Sequence, residues 1–171
     1  MYKILLFILL GVTPFTTAVG QSVITPALAD TLMLSEVENR DQVFYLNESD
    51  EPVTAVVVDY FESGQIKSRK TVIAGKAEGL WVEWYESGIP KYLAEWTQGM
   101  GHGQWVYFYE NGEIRERSHV EQDLWQGIAE GWHSNGVKAF EGMYIEDERI
   151  GRWTWWDDQG AITESKTYQN R

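Results

Sequence analysis

Residues 79–112 read GLWVEWYESGIPKYLAEWTQGMGHGQWVYFYENG. The stretch holds one pattern twice. Gly79, Trp81, Trp84, Tyr85 and Gly88 return as Gly103, Trp105, Phe108, Tyr109 and Gly112, each 24 residues later. The period continues outward. Gly64, Gly136 and Gly160 extend the series of Gly88 and Gly112, and Gly127 and Gly151 extend that of Gly79 and Gly103. Two glycine series held in one register mark a repeat, and a period of this size marks a stacked architecture.

Each unit reads as a β-hairpin. Gly79 to Tyr85 is rich in aromatic and branched residues, which suits a strand. Glu86-Ser87-Gly88 and Glu110-Asn111-Gly112 are tight-turn sequences, whose glycine supplies the positive φ of the turn or its bulge. Second strands follow at Ile89 to Trp96 and Glu113 to Val120. Gly75-Lys76-Ala77-Glu78 and Gly99-Met100-Gly101-His102 read as links to the next unit. The expected units are 55–78, 79–102, 103–126, 127–150 and a shorter 151–171. One hairpin cannot bury its own face, but stacked hairpins share one. The expected fold is all-β, an elongated antiparallel sheet of about five stacked hairpins.

A three-residue turn with a bulge pairs Trp84 with Pro90, Phe108 with Ile114 and Trp156 with Ile162. It also sets Asp59 opposite Lys67 and Glu83 opposite Lys91, as favourable charge pairs. One face then carries Tyr60, Trp84, Phe108, Trp132 and Trp156 beside Val58, Val82 and Val106, and is expected to be the hydrophobic spine. The opposite face carries Trp81, Trp105 and Trp153 with Lys67, Lys91, Arg115 and Arg117. A two-residue turn would change these partners.

The start of the chain reads as an address. In residues 1–20, MYKILLFILLGVTPFTTAVG, Lys3 precedes an apolar run from Ile4 to Val12, and small and polar residues follow. This is the build of a secretory signal peptide. The run is about half of the roughly 20 residues that span a bilayer. Cleavage is expected after Gly20, with Ala29 as the second possibility, and the destination is periplasmic or extracellular. Residues 21–54 are an acidic lead-in with seven acids and one base, loosely ordered apart from a short strand at Val43 to Leu46.

The residues of the repeat, Gly-x-Trp-x-x-aromatic-aromatic-x-x-Gly followed by a second strand, resemble the MORN-variant repeat of the bacterial YwqK-type antitoxin family. The resemblance covers about residues 55–171. Arg40 to Thr54, with Tyr45, Asp50, Pro52 and Thr54, resembles the lead-in common before such repeats. The resemblance implies an elongated sheet of hairpins with no active site, because its motif is structural. The chain departs from the pattern at Ala129, in a tryptophan position, and at His133 and Asp157, in tyrosine positions. The links at Asp123 and Asp147 lack the opening glycine. A cleaved signal would also separate this protein from a cytoplasmic toxin, which weighs against an antitoxin role.

Composition narrows the chemistry. The 171 residues hold 26 acids, 14 bases, 9 tryptophans and no cysteine, for a formal charge of −12. Disulfides, thiolate metal sites and cysteine nucleophiles are excluded. A nucleic-acid binder needs a basic surface, and no polybasic patch favours a membrane. His102, His119 and His133 share no metal-binding spacing. Glu146-Asp147-Glu148 and Asp157-Asp158 lack the calcium-loop spacing. Gly99 to Gly103 leads to a strand, not to the helix a phosphate loop needs. No catalytic, cofactor or metal residue is assigned, and the chain is not expected to be an enzyme.

The expected function is an exported scaffold that binds a protein partner. The candidate face is Trp81, Trp105, Trp153, Tyr85, Tyr109, Arg115 and Arg117. The same tryptophan row could instead stack on cell-wall glycans, or pack along the sheet under Arg115 and Arg117 as cation–π pairs. An antitoxin-like neutraliser of a partner protein is the third alternative.

Overall fold

The computed structural model describes residues 30–169. The signal peptide expected at residues 1–20 and both expected cleavage positions lie outside the described residues. Ten strands form five antiparallel hairpins in chain order. They are β4 (Ala55–Tyr60) with β5 (Ile66–Ile73), β6 (Lys76–Trp84) with β7 (Pro90–Thr97), and β8 (Met100–Phe108) with β9 (Ile114–Glu121). β10 (Leu124–Trp132) with β11 (Lys138–Ile145) and β12 (Glu148–Trp156) with β13 (Ile162–Tyr168) complete the set. β1 (Thr31–Met33) adds in parallel to β4, giving an eleven-stranded sheet. The all-β sheet of hairpins expected from the repeat is the observed architecture.

The turn chemistry explains the register. Trp84 pairs with Pro90, Phe108 with Ile114 and Trp156 with Ile162, as the three-residue turn requires. Gly88 donates its N–H to the Tyr85 carbonyl at φ +83°, a backbone state that costs a residue with a Cβ. The bulge takes up one residue, so the expected opposition of Asp59 with Lys67 and of Glu83 with Lys91 is corrected. Asp59 pairs with Ser68, and Glu83 with Tyr92. Lys67 still reaches Asp59 at 2.8 Å from its bulged position.

The expected links are strands and turns. Ala74-Gly75, Gln98-Gly99, Gln122-Asp123 and Glu146-Asp147 all lie at positive φ. They form the two-residue turns whose twist matches an antiparallel pair. Strands therefore begin at Lys76, Met100, Leu124 and Glu148, three residues before the expected boundaries. Asp123 and Asp147 replace the glycine because aspartate tolerates this conformation, and its carboxylate finds a backbone donor in the preceding unit. Asp123 Oδ1 accepts from the Gly101 N–H at 2.7 Å, and Asp147 Oδ1 from the Trp125 N–H at 2.6 Å.

The second glycine series sits inside strands, at bulges. Residues 79–81 face Lys70 alone, 102–104 face Glu95, 127–129 face Ser118 and 151–153 face Gly142. Each bulge re-aims the side chain that closes it.

The lead-in is more ordered than its composition implied. Besides β1 and the expected strand at Val43–Leu46 (β3), it holds a 3-10 turn at Leu34–Glu36 and a strand β2 (Val37–Arg40). β2 and β3 form a separate hairpin against one face of the main sheet. Val37, Phe44, Val53, Ala55, Val57 and Val72 bury one another there. Thr54 is tied in as a repeat position, its Oγ1 accepting from the Ala74 N–H at 2.8 Å.

Candidate functional site

The register sorts side chains onto two faces. The face under the β2–β3 hairpin, called inner, carries Val57, Lys70, Trp81, Ala94, Trp105, Ser118, Ala129 and Trp153. The outer face carries Tyr60, Trp84, Phe108, Trp132 and Trp156 with Val58, Val82 and Val106. The two aromatic columns are thus separated as expected, but the spine assignment is reversed. Ala55, Val57, Val72, Ala94, Val120, Ala129 and Trp153 are all buried on the inner side. Of the outer face only Val58 and Val82 are buried to that degree, and Tyr60 is exposed. The bulges cause this reversal, because they fold the large inner rings over small partners.

Those rings form a continuous ribbon. Trp81 meets Trp96 at a centroid distance of 5.6 Å, Trp96 meets Trp105 at 5.6 Å, and Trp105 meets Trp125 edge-on at 5.6 Å. Trp125 contacts Tyr144 at 6.2 Å, and Tyr144 meets Trp153 edge-on at 4.9 Å. Trp153 is 1% exposed. Its ring lies on Gly142, where a Cβ would stand 2.0 Å from a ring carbon. Its indole N–H donates to the Met143 carbonyl at 3.2 Å. Trp153 is thereby closed off, while Trp81 and Trp105 are half-buried and packed along the sheet.

The cations over this ribbon differ from those expected. Arg115 stands over Tyr107 at 5.1 Å, and Arg117 lies on the outer face over Trp132 at 5.5 Å. Lys70 covers Trp81 at 4.0 Å and Arg149 covers Trp153 at 4.6 Å. Neither is visible in the sequence, because a bulge sets each contact: Lys70 reaches Trp81 from the neighbouring strand β5, and Arg149 reaches Trp153 along its own strand β12, across the bulge at 151–153.

Tyr85 and Tyr109 brace one rim of the sheet. The Tyr85 hydroxyl donates to the Phe108 carbonyl at 2.9 Å, and the Tyr109 hydroxyl to the Trp132 carbonyl at 2.8 Å. His133 Nε2 sits 2.9 Å from the Trp156 carbonyl, so in the tyrosine position it does the same work. That carbonyl can only accept, which assigns the proton to Nε2. Asp157 instead closes the last turn, accepting from the Gln159 and Ala161 N–H groups. His102 and His119 are exposed strand residues. Among the described residues no cluster of three or more His, Asp or Glu is arranged around a common point.

Lys70 is 5% exposed, between Trp81 and, at 4.8 Å, the Phe44 ring of the β2–β3 hairpin. Burial pushes its ammonium below the ordinary 10.5, against weaker opposing pulls from Glu83 and Asp59. The folded chain then releases this proton at lower pH than the unfolded chain does. Stability is therefore expected to rise as pH climbs through the folded value towards 10.5. Denaturant melts of Lys70→Met should lose that rise and show higher stability at neutral pH. A mutant less stable at neutral pH, with the slope intact, would show that the two cation–π contacts outweigh desolvation.

The outer face holds a polar network among its apolar residues. Glu130 accepts from Arg117 Nη2 at 2.6 Å and from Lys138 Nζ at 2.8 Å. Those two hydrogen bonds, Arg117 first, hold the Glu130 carboxyl below its ordinary range. Beside the network Ile128 is 58% exposed, and Leu80, two repeats earlier in the same column, is 47% exposed. Met143 pairs with Ile128 across the sheet and is exposed as well. Neither composition nor period singles these residues out; only the bulge turns them outward.

No curated protein matches the chain. Two adjacent hairpins of the sheet, residues 77–98 and 101–122, match the family model described as the MORN repeat variant.

Proposed function

We propose that this chain is an exported, non-catalytic repeat scaffold that binds a protein partner on the outer face of its sheet. The observation that supports this reading is the exposed apolar pair Ile128 and Met143 beside the Arg117–Glu130–Lys138 network, with Leu80 exposed in the same column four strands away. Exposed apolar residues rimmed by polar groups are the usual makeup of a protein-binding surface. The inner aromatics pack on one another along the sheet, which supplies rigidity to the surface behind them. The MORN repeat variant in two of the units fits a scaffold role. Export rests on the composition of residues 1–20, and the acidic charge favours a basic partner.

Affinity capture from cell-envelope extract tests the proposal. The wild-type protein is expected to retain a protein that Ile128→Asp loses, with circular dichroism and melting unchanged. Capture that is equal for Ile128→Asp and Leu80→Asp, but lost on an exposed change to the inner rim such as Arg115→Glu, would move the site to the other face.

A further inference from the structure

β13 is the last strand of the main sheet, and among the described residues nothing pairs with its free edge. All of its residues except Tyr168 are exposed. Such an edge offers a row of unpaired N–H and C=O groups to another strand, and soluble proteins commonly guard it with a lysine. Lys166 stands in that position. Here, however, the lysine has a counterpart two residues away in Glu164.

The strand reads Ile162-Thr163-Glu164-Ser165-Lys166-Thr167-Tyr168. Its charges are arranged symmetrically about Ser165. An antiparallel pairing of two copies centred on Ser165 sets Glu164 of each opposite Lys166 of the other, and Thr163 opposite Thr167. Both charged residues point to the inner face, since Glu164 pairs with Trp155 and Lys166 with Trp153. Two copies related by a two-fold axis normal to the sheet keep those faces on the same side, so both charge pairs form. Other registers do not offer this. Centring on Glu164 or on Lys166 places like charges opposite each other, and a parallel in-register pairing does so twice. Like charges directly opposite destabilise a sheet, and opposite charges stabilise it.

We propose that β13 is a homodimerisation edge. Two copies join antiparallel through Ser165 and make one continuous sheet from their two eleven-stranded sheets. The interface is isologous, the commonest arrangement of soluble oligomers. It also removes the open edge without a covering element and extends the inner aromatic ribbon, which reaches Tyr168 through Trp153 at 6.5 Å.

Sedimentation of the protein from low to high micromolar concentration tests this. The wild type is expected to pass from monomer to dimer. Glu164→Lys and Lys166→Glu should each weaken the dimer about tenfold or more, since each turns two attractive pairs into two repulsive ones. The double exchange, Glu164→Lys with Lys166→Glu, should restore it. All three changes are at exposed positions, so the fold should survive. Because the chain has no cysteine, Ser165→Cys reads the register directly: mild oxidation should crosslink it to its own copy. Thr167→Cys, off the axis, should not crosslink. A monomer at every concentration, a dimer indifferent to both single exchanges, a double exchange as weak as the singles, or a Thr167→Cys crosslink as fast as that of Ser165→Cys would overturn the proposal.

Discussion

Replacing Trp153 by alanine is expected to lower the unfolding free energy by about 3–5 kcal/mol, the usual cost of emptying the site of a buried large aromatic. Trp153 is the largest fully buried side chain of the sheet. It touches Phe140, Tyr144, Trp155 and Tyr168, and Arg149 covers it. Removing it leaves a void under five groups carried on three different strands, and a sheet with one main layer has little else to collapse into that space. Trp84→Ala, on the outer face, should cost clearly less because that ring is only partly buried. Urea melts of the two variants decide the matter. If Trp84→Ala is the more damaging, the core lies on the outer face and the two faces exchange roles.

Gly142→Ala is the second expected large loss, about 1–3 kcal/mol or more for overpacking a filled site. The cause is steric, not conformational. Gly142 does not have positive φ, but its Cα is the floor on which the Trp153 ring rests. The two residues face each other across the bulge at 151–153, so their substitutions should not be additive. Gly142→Ala combined with Trp153→Leu is expected to cost less than the two single changes together. Strict additivity would mean that the ring and the glycine do not share the site. Gly131 offers an internal comparison, since a Cβ there would stand 2.1 Å from the Phe140 ring.

How far the fold is legible follows from what kind of signal each feature leaves. The turn glycines 64, 88, 112, 136 and 160 are all between φ +82° and +88°. Their chemistry is local, so the sequence carries it openly, and hairpin number and turn positions follow; the structure realises the three-residue turn rather than the two-residue alternative. The turns at Gln122-Asp123 and Glu146-Asp147 read only as links. Their aspartates do the work of glycine through a side-chain hydrogen bond to the strand that opens the preceding unit, which is a contact outside the local sequence. The order of the lead-in escapes sequence reading for a similar reason. Its β2–β3 hairpin becomes ordered by packing on Ala55, Val57 and Val72 and has little pattern of its own.

The candidate site is legible as columns and illegible as burial. Trp81, Trp105 and Trp153 stand on one face, and Trp84, Phe108 and Trp156 on the other, as a period of two requires. Tyr85 and Tyr109 are candidates for a partner by sequence, and the structure shows their hydroxyls occupied by neighbouring backbone carbonyls. Arg117 lies on the face opposite to the expected one because one bulged residue after the turn reverses the alternation.

By itself the sequence determined the repeat, its period, the hairpins and which aromatics share a side, because spacing and turn conformation are properties of the chain alone. The tertiary structure decided which side is the interior, because burial depends on what lies opposite. Trp153 is buried by Gly142 on the neighbouring strand and by Arg149 of its own strand, folded over the ring at a bulge, and Ile128 is exposed by the same kind of bulge. Periodicity orders side chains along a strand, but only the assembled sheet determines which of them meet one another and which meet water.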